Sequence, residues 1–375
     1  MKPIHATVFC RSLSPHLTQA LTGLVLLHRA GAIRLRQVFM GSGTADARAS
    51  AYGPEAHEAH LLVLLDGGTR VYYDTQDAQD INLAAAERVD LYFKRSYARE
   101  AVPPALRAKV HPYGLNYAVY ADGRDVFEMG RRLFFEKEAA KRMKALARLA
   151  LSGFEMSAVA PGFRATVGQM SAPPDRAQPP RVLFMARAWD PGDDPARPPE
   201  KAEQRRQINE ARAECVRLLR REFGPAFTGG FRHTPYALTH HKDVLLADDR
   251  LSTKENYIRL LREHSIGIAT TGLHESIGWK LAEYVAFSKA IAAERLRFEV
   301  PGELAAGENY LEFDSPEKCV EQTLRLFTDR GLREAMMERN QRYYEACLRP
   351  DMLMLRTLRM AMPDRIAPEA LASQP

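Results

Sequence analysis

Between residues 265 and 294 the chain reads SIGIATTGLHESIGWKLAEYVAFSKAIAAE, and few folds accommodate that order of signals. Residues 265–270 are a short apolar run suited to a buried strand. A turn follows around Gly272, residues 275–287 carry apolar side chains at helical spacing, and residues 290–293 are apolar again. Strand, loop, helix and strand in so short a span predict a βαβ unit, hence a parallel sheet with the loop at its carboxyl edge. A loop that opens there into a helix N-terminus presents backbone N–H groups and the positive end of a helix dipole, the means by which open α/β sheets bind phosphate.

The rest of the chain must supply a sheet for that unit to join. With 375 residues, 46% hydrophobic and 27% charged, it is long enough for about two domains. Its 53 basic and 47 acidic residues leave a formal charge of +6, which suits anionic small molecules or an anionic membrane surface as well as nucleic acid. Cys10, Cys215, Cys319 and Cys347 are widely spaced and form no CxxC pair, which argues against a zinc site or a disulfide scaffold and fits a reducing cytoplasm. The N-terminus lacks a signal-peptide pattern, and no segment approaches the roughly 20 apolar residues of a membrane span. A cytoplasmic protein is expected, at most peripheral at the inner face of a membrane.

The N-terminal half alternates strand and helix signals. Strands are predicted at residues 4–9, 35–40, 61–65, 70–73 and 89–93, with Ser14 and Pro15 opening a helix to about residue 28. The Asp66-Gly67-Gly68 turn makes residues 61–73 either a hairpin or two successive strands. Residues 41–50, GSGTADARAS, have a loop composition. Asp74, Asp77 and Asp80 follow Tyr72-Tyr73 at a strand end; a polar loop with capping aspartates and a metal loop are the two readings, and no Gly or Glu completes a calcium pattern. His111 and Asn116 lie in HPYGLN, either a turn or a loop that binds hydroxyl groups. Residues 131–154 form a basic amphipathic pattern, read either as a solvated helix face or as a peripheral contact with anionic lipid.

The stretch SAPPDRAQPP, residues 171–180, cannot be regular structure and reads as an interdomain linker. The expected organisation is therefore a first domain over residues 1–170, that linker, a second domain over residues 181–348, and a C-terminal helix and tail, residues 349–375, packing back on the first domain. In the second domain the apolar run RVLFMA ends in Arg187, a charged helix covers residues 203–223, and strands fall at residues 226–228 and 244–247. Ser252-Thr253-Lys254-Glu255 has the capping-box pattern, Ser315-Pro316 opens a later helix, and two helices near residues 332–347 and 351–360 close the chain.

Glu275, seven residues and then Glu283, with Gly278 between them and the apolar 289–293 run behind, resemble the signature of GT-B-fold glycosyltransferases that use nucleotide sugars. Ser276, Ile277 and Ser288-Lys289-Ala290 stand where that family has Gly, an aromatic and Gly-x-Pro. The resemblance implies two Rossmann-like α/β domains facing a cleft, with acceptor on the N-terminal side and nucleotide sugar on the other. It also implies a retaining transfer in which Glu283 holds the ribose and Glu275 meets the donor sugar. Arg187 resembles the family's arginine contact to phosphate, with Lys201, Arg205 or Arg206 in place of the lysine that usually follows. Leu245 stands at the position whose backbone reads the base.

The residues' own chemistry runs alongside. Thr271, Gly272, Ser276, Ile277 and Gly278 line the start of the predicted helix and would meet a diphosphate. A guanidinium at residue 187 suits phosphate bidentately. Glu283 lies amid Leu281, Val285 and Phe287 and needs a polar partner, either a ribose or a salt bridge. Lys280 points either to phosphate or to solvent, and His274 is either a sugar contact or a turn residue. Were the reaction to need a base, Asp74, Asp77 or His111 on the acceptor side are candidates, with Asn116 as a hydroxyl ligand. No metal and no cofactor beyond the co-substrate are expected. The expected function is sugar transfer from a nucleoside-diphosphate sugar to the hydroxyl of a carbohydrate or glycolipid, in surface polysaccharide or glycoconjugate synthesis. Alternatives are a nucleotide-sugar epimerase of the same fold and, less favoured for want of an RNA-binding motif, a nucleic-acid-binding protein.

Overall fold

The computed structural model describes residues 3–10, 14–39, 59–121 and 165–365. The predicted basic helix at residues 131–154 and the 41–50 loop lie outside them. In chain order the elements are β1 (Ile4–Cys10), α1 (Thr18–Arg29), β2 (Ile33–Phe39), β3 (His60–Leu65), β4 (Thr69–Asp74), α2 (Leu83–Arg88), β5 (Leu91–Lys94) and β6 (Val110–Pro112). There follow β7 (Val182–Ala186), α3 (Pro199–Phe223), β8 (Phe227–Phe231), α4 (Pro235–His240), α5 (Lys254–Glu263), β9 (Ile266–Ala269), α6 (Trp279–Ala286) and β10 (Ala290–Glu294). Last come β11 (Leu311–Phe313), α7 (Pro316–Thr328), α8 (Arg330–Tyr343) and α9 (Pro350–Ala361). None of the described helices is long and apolar enough to cross a membrane.

Two compact units emerge: Met1–Gln169 with Phe298–Gly302 and Glu345–Pro375, and Met170–Arg297 with Glu303–Tyr344. Each is α/β with a sheet of mainly parallel strands, the fold class expected. Residues 171–180 belong to the second unit, tied to it where Ala172 N–H meets Ala286 O at 3.1 Å and Ser288 Oγ donates to Ala172 O at 2.8 Å. The short excursion at Phe298–Gly302 had no sequence signal; Glu299 N–H bonds Tyr97 O within the first unit.

The first unit's sheet runs β2-β1-β3-β4-β5-β6. It is mixed, because β3 and β4 form the hairpin and β3 is antiparallel to both neighbours. Asp66 and Gly67 turn that hairpin with φ of 46° and 75°. Alternation sorts its side chains. Ile4, Ala6, Val8, Leu61, Val63, Leu65, Val71 and Tyr73 face α1 and α9, while Phe9, Leu62, Tyr72 and Tyr92 face α2. The second unit's sheet, β11-β10-β9-β7-β8, is wholly parallel. Its three central strands, β7, β9 and β10, are buried on both faces and so read as continuous apolar runs rather than alternating ones. Gly267 lets the Tyr284 ring lie against β9, since a Cβ there would come within 2.6 Å of it.

Three local expectations are corrected. Residues 244–247 are not a strand: a single bridge joins Leu245 to Phe231 after a 3₁₀ turn at Lys242–Val244. Gly230, with φ of 149°, brings β8 so close to the crossing backbone that a Cβ would meet Val244 O at 2.6 Å, and Arg220 takes the Leu245 carbonyl, so no ladder extends. The Ser252 capping box does not form. Ser252 Oγ donates to Asp249 O and Thr253 becomes the N-cap with its hydroxyl turned back to Arg250 O. The helix expected from Glu275 begins only at Trp279, because residues 273–275 make a 3₁₀ turn and Ser276–Gly278 are extended.

Close packing of α9 on α1 covers one face of the first unit's sheet. A Cβ on Gly23 would stand 2.0 Å from Pro350 O and 2.6 Å from Met354 Cγ. We expect Gly23→Ala to cost about 1–3 kcal/mol through this overpacking, seen as a lower unfolding midpoint by calorimetry; an unchanged midpoint would refute the packing described.

Candidate functional site

In the second sheet, β7 pairs with β8 on one side and β9 on the other, so the chain reverses its direction of travel across β7. The loops leaving the carboxyl ends of β7 and β9 therefore diverge and open a crevice between them, the place where open α/β sheets bind ligands. Arg187, Thr271, Gly272, His274, Glu275, Ser276, Ile277 and Gly278 lie on these two loops, whereas Lys201, Arg205 and Arg206 stand at the start of α3, and Leu245, Lys280 and Glu283 lie elsewhere.

A buried arginine fixes both. Arg212 of α3 is 8% exposed and donates Nε to Thr270 Oγ1 at 3.0 Å, Nη1 to Arg187 O at 3.0 Å and Nη2 to Thr271 O at 2.8 Å. From the other side Glu294, at the end of β10, accepts from Thr271 N–H and Oγ1, both at 2.6 Å. Burial lowers the guanidinium pKa to about 10, with Glu294 pulling it back up, so it remains charged. Asn209, one turn earlier, spans Trp189 by accepting from its N–H at 2.8 Å and donating to its carbonyl at 2.7 Å. None of these residues was expected. Their signal was available: Asn209, Arg212, Ala213, Val216 and Leu219 share the buried face of α3, and polar groups on such a stripe need partners.

The β9–α6 loop does not present the amides expected of it. Thr271 N–H is taken by Glu294, Gly272 N–H by Ser276 O at 2.8 Å and Ser276 N–H by Leu273 O at 3.1 Å. The helix N-terminus lies at Gly278, the N-cap of α6, rather than at Ser276. Ser276 and Ile277 are buried. Gly272 and Gly278 are tightly fitted: a Cβ would meet Ser276 Oγ or Thr270 O, each at 2.9 Å. His274 and Glu275 both occupy the left-handed region, φ 59° and 56°, at a cost of roughly 1 kcal/mol or more each. That strain turns both side chains outward, Glu275 to an exposed ion pair with Arg297 and His274 toward Lys201.

A cavity of about 240 Å³ lies there, lined by Asp194, Arg197, Lys201, Arg205, Leu273 and His274 among others. Arg197 and Arg205 both contact Asp193, the latter at 2.9 Å. Lys201 Nζ is 3.3 Å from His274 Nδ1 and meets no carboxylate among the described residues. Arg187 is exposed, with its guanidinium 5.0 Å from the Trp189 ring centre, and Arg205 is 5.5 Å from it. Of the possible lysine substitutes, Lys201 and Arg205 line the cavity, whereas Arg206 pairs with Glu203 in solvent. Leu245 gives its carbonyl to Arg220 at 2.5 Å.

Glu283 is 5% exposed and already partnered: Lys254 Nζ at 3.1 Å, Lys280 Nζ at 3.2 Å and the Tyr257 hydroxyl at 3.0 Å. Burial pushes its carboxyl up, but Lys280 and then Lys254 outweigh that and hold it at about 2.

The acceptor-side candidates share the carboxyl edge of the first sheet's parallel strands but not one environment. Asp74 is fully buried, bonded by Lys94 at 2.9 Å and Tyr92 Oη at 2.5 Å, with His60 Nε2 at 3.4 Å. Burial opposes its ionisation, yet the hydrogen bond from His60 and the charge of Lys94 bring the pKa to about 2, so Asp74 is a structural anion rather than a base. Asp77 is half-exposed and pairs with the buried Arg95. Asn116 Nδ2 donates to His16 O at 2.8 Å. His16 was not expected; burial, then Arg95, lower its pKa, and burial lowers that of His111. Among the described residues, no group of three or more His, Cys, Asp or Glu is placed to hold a metal.

No family model and no curated protein sequence matches the chain. Solved structures do. They include the C-terminal domain of a glycosyl transferase group 1 family protein, LpcC, from Francisella tularensis, at 15% identity over 48% of this chain and 95% of that one, TM-score 0.32. The pneumococcal O-GlcNAc transferase GtfA, in complex with UDP and GlcNAc, is 12% identical over 78% of this chain, which spans 57% of GtfA, TM-score 0.34. HepE from Anabaena, in complex with UDP, is 10% identical over 94% of this chain and 98% of its own, TM-score 0.41. Similarity at this level assigns neither ligand nor activity.

Two outcomes follow from the geometry. Arg212→Met should cost about 2–4 kcal/mol by leaving three part-buried acceptors without their donor, and should speed amide exchange at residues 270–272; unchanged exchange there would sink the bracing role. Glu283, depressed from 4.5 to about 2, contributes roughly 3 kcal/mol above pH 4.5 that is lost as pH falls toward 2. Acid unfolding of Glu283→Gln should accordingly be less steep over that window than that of the wild type.

Proposed function

We propose that the protein is a GT-B-type glycosyltransferase that moves a sugar from a nucleoside-diphosphate sugar to an acceptor hydroxyl, in surface polysaccharide or glycoconjugate synthesis. The observation that carries this reading is the cationic cavity at the point where the second sheet changes direction. Arg197, Lys201 and Arg205 there supply more positive charge than Asp193 and Asp194 offset, beside a strained loop that turns His274 and Glu275 outward, and Arg187 lies over the Trp189 ring that Arg205 also meets. Cations fixed in advance around a departing diphosphate stabilise the charge that develops on it, a contribution that needs no metal ion.

In this reading Lys201, with Arg187 and Arg205, meets the phosphates, and Lys201 stands in for the lysine that the sequence lacks after Arg187. His274 and Glu275 face the transferred sugar. Glu275, exposed and held by Arg297, is free to exchange that partner for a sugar hydroxyl because a solvent-exposed pair is weak, worth roughly 0–1 kcal/mol. The acceptor side is assigned to Asp77 and His111 with the newly placed His16; Asp74 and Asn116 are left out because both side chains are enclosed.

Thermal-shift screening against UDP, GDP, dTDP and CMP and their sugars tests the reading directly, since a ligand of the folded state raises the midpoint. At least one nucleoside diphosphate should do so. Lys201→Ala should then weaken its binding by roughly tenfold, and Glu275→Ala should lower turnover with affinity kept. A screen in which no nucleotide shifts the midpoint would reject the proposal.

A further inference from the structure

Around Glu283 the charges do not balance. Lys254 and Lys280 bond its two carboxylate oxygens, Tyr257 donates to one of them, and Lys280 Nζ also sits 3.3 Å from the centre of the Tyr257 ring. Arg232, which leaves the end of β8, adds a third cation close enough to depress Lys280. Its one described side-chain bond is to Ser252 Oγ at 3.1 Å. The nearby acids are occupied: Asp248 pairs with Arg250, and Asp249 accepts from His233 N–H and Ser252 Oγ. Those donors to Asp249 are neutral, so its charge remains, and the three cations Arg232, Lys254 and Lys280 face two carboxylates, Glu283 and Asp249, an excess of one positive charge.

Their positions make the excess costly. Lys254 is the first residue of α5 and Lys280 the second of α6, at the positive ends of the two helix dipoles, where acidic residues are favoured and cations are not. Glu283 cancels one charge and leaves the others part-exposed, Lys254 at 24% and Lys280 at 35%. A cavity of about 500 Å³ opens beside Arg232, lined also by Asp248, Asp249, Arg250, Ser252 and Thr253, the residue that precedes Lys254. Two lysines held at the wrong helix ends, with an arginine beside an open cavity, are arranged as a receptor for an anion that supplies the missing negative charge.

We propose that Arg232, Lys254 and Lys280 form a phosphate subsite and that Glu283 is its positioning residue, holding both lysines in place rather than binding a ribose. The inference rests on the nucleotide reading above and names the part of the ligand that lies over β8 and α6. With Lys254 on Oε1 and both Tyr257 and Lys280 on Oε2, Glu283 keeps about one acceptor site, too few for a pair of hydroxyl groups unless it gives up a partner, whereas the lysines lose nothing by meeting a phosphate while Glu283 holds them.

Calorimetric titration of the full chain with uridine, UMP, UDP and 2′,3′-dideoxy-UDP, with the guanosine series in parallel and inorganic pyrophosphate as a base-free probe, separates the roles. Lys280→Met leaves Glu283 bonded to Lys254 and Tyr257, and Arg232 is exposed with one described side-chain hydrogen bond, to Ser252, so both variants should fold. Each should lose about tenfold for UDP or GDP and less than about twofold for the nucleoside, and dideoxy-UDP should bind the wild type within about twofold of UDP. Folded Lys280→Met and Arg232→Gln variants that bind the diphosphates as the wild type does would overturn the subsite. So would a large loss on removing the ribose hydroxyls that disappears in Glu283→Gln. Wild-type binding of a nucleoside diphosphate with either result leaves the glycosyltransferase reading standing. Pyrophosphate binding that depends on Lys280, without binding of any nucleotide, supports the subsite and defeats that reading instead.

Discussion

Arg212 is the constraint on which the second unit's crevice depends. A guanidinium buried on α3 reaches under two loops that leave different strands and gives each a hydrogen bond to backbone, while Glu294 grips the second loop from β10. The two charges meet through the loop instead of directly. That arrangement solves a general problem of α/β sheets, whose carboxyl edge is made of loops: backbone carbonyls that no strand partners must be satisfied without closing the space a ligand needs. Because Arg212 and Glu294 take the inward-facing groups of Thr270 and Thr271, the outward-facing cavity is left to Arg197, Lys201, Arg205 and His274.

The same economy recurs at Glu283. A carboxylate amid apolar neighbours demands partners, and the fold supplies them from the starts of two helices and from Tyr257. The result is ion pairing whose cations are brought in against their helix dipoles, an expense that a purely structural network would avoid. In the first unit the contrast is plain. Asp74, Lys94, His60, Tyr72 and Tyr92 close on one another in the core, where His60 Nδ1 meets Tyr72 Oη at 2.6 Å, and their charges cancel with none left facing out. Such a buried pair carries fold specificity better than it carries chemistry.

The residues that resemble a glycosyltransferase signature fare unevenly under this geometry. The first glutamate stands outward on a strained loop, and the glycine at 278 is required by the approach of Thr270 O. The second glutamate is enclosed by lysines. Lys280 lies three residues before Glu283 on the same helix, so the i, i+3 pair was open to sequence reasoning. Lys254 and Tyr257, 29 and 26 residues distant, were not.

What the sequence determined by itself is the part governed by short-range pattern. Apolar runs bounded by glycine and proline placed β1, β7, β9 and β10, Ser315 and Pro316 placed the start of α7, and the 265–294 unit required a parallel sheet. Tertiary structure alone decided the rest, because each remaining feature joins groups far apart in the chain. The mixed first sheet comes from β3 inserting between β1 and β4, the late start of α6 from Gly272 and Ser276 closing their own loop, and the bracing of the crevice from a helix that begins about 70 residues before that loop. Local propensity carries no information about such partners; burial of a charge tells only that one must exist, and the fold chooses which.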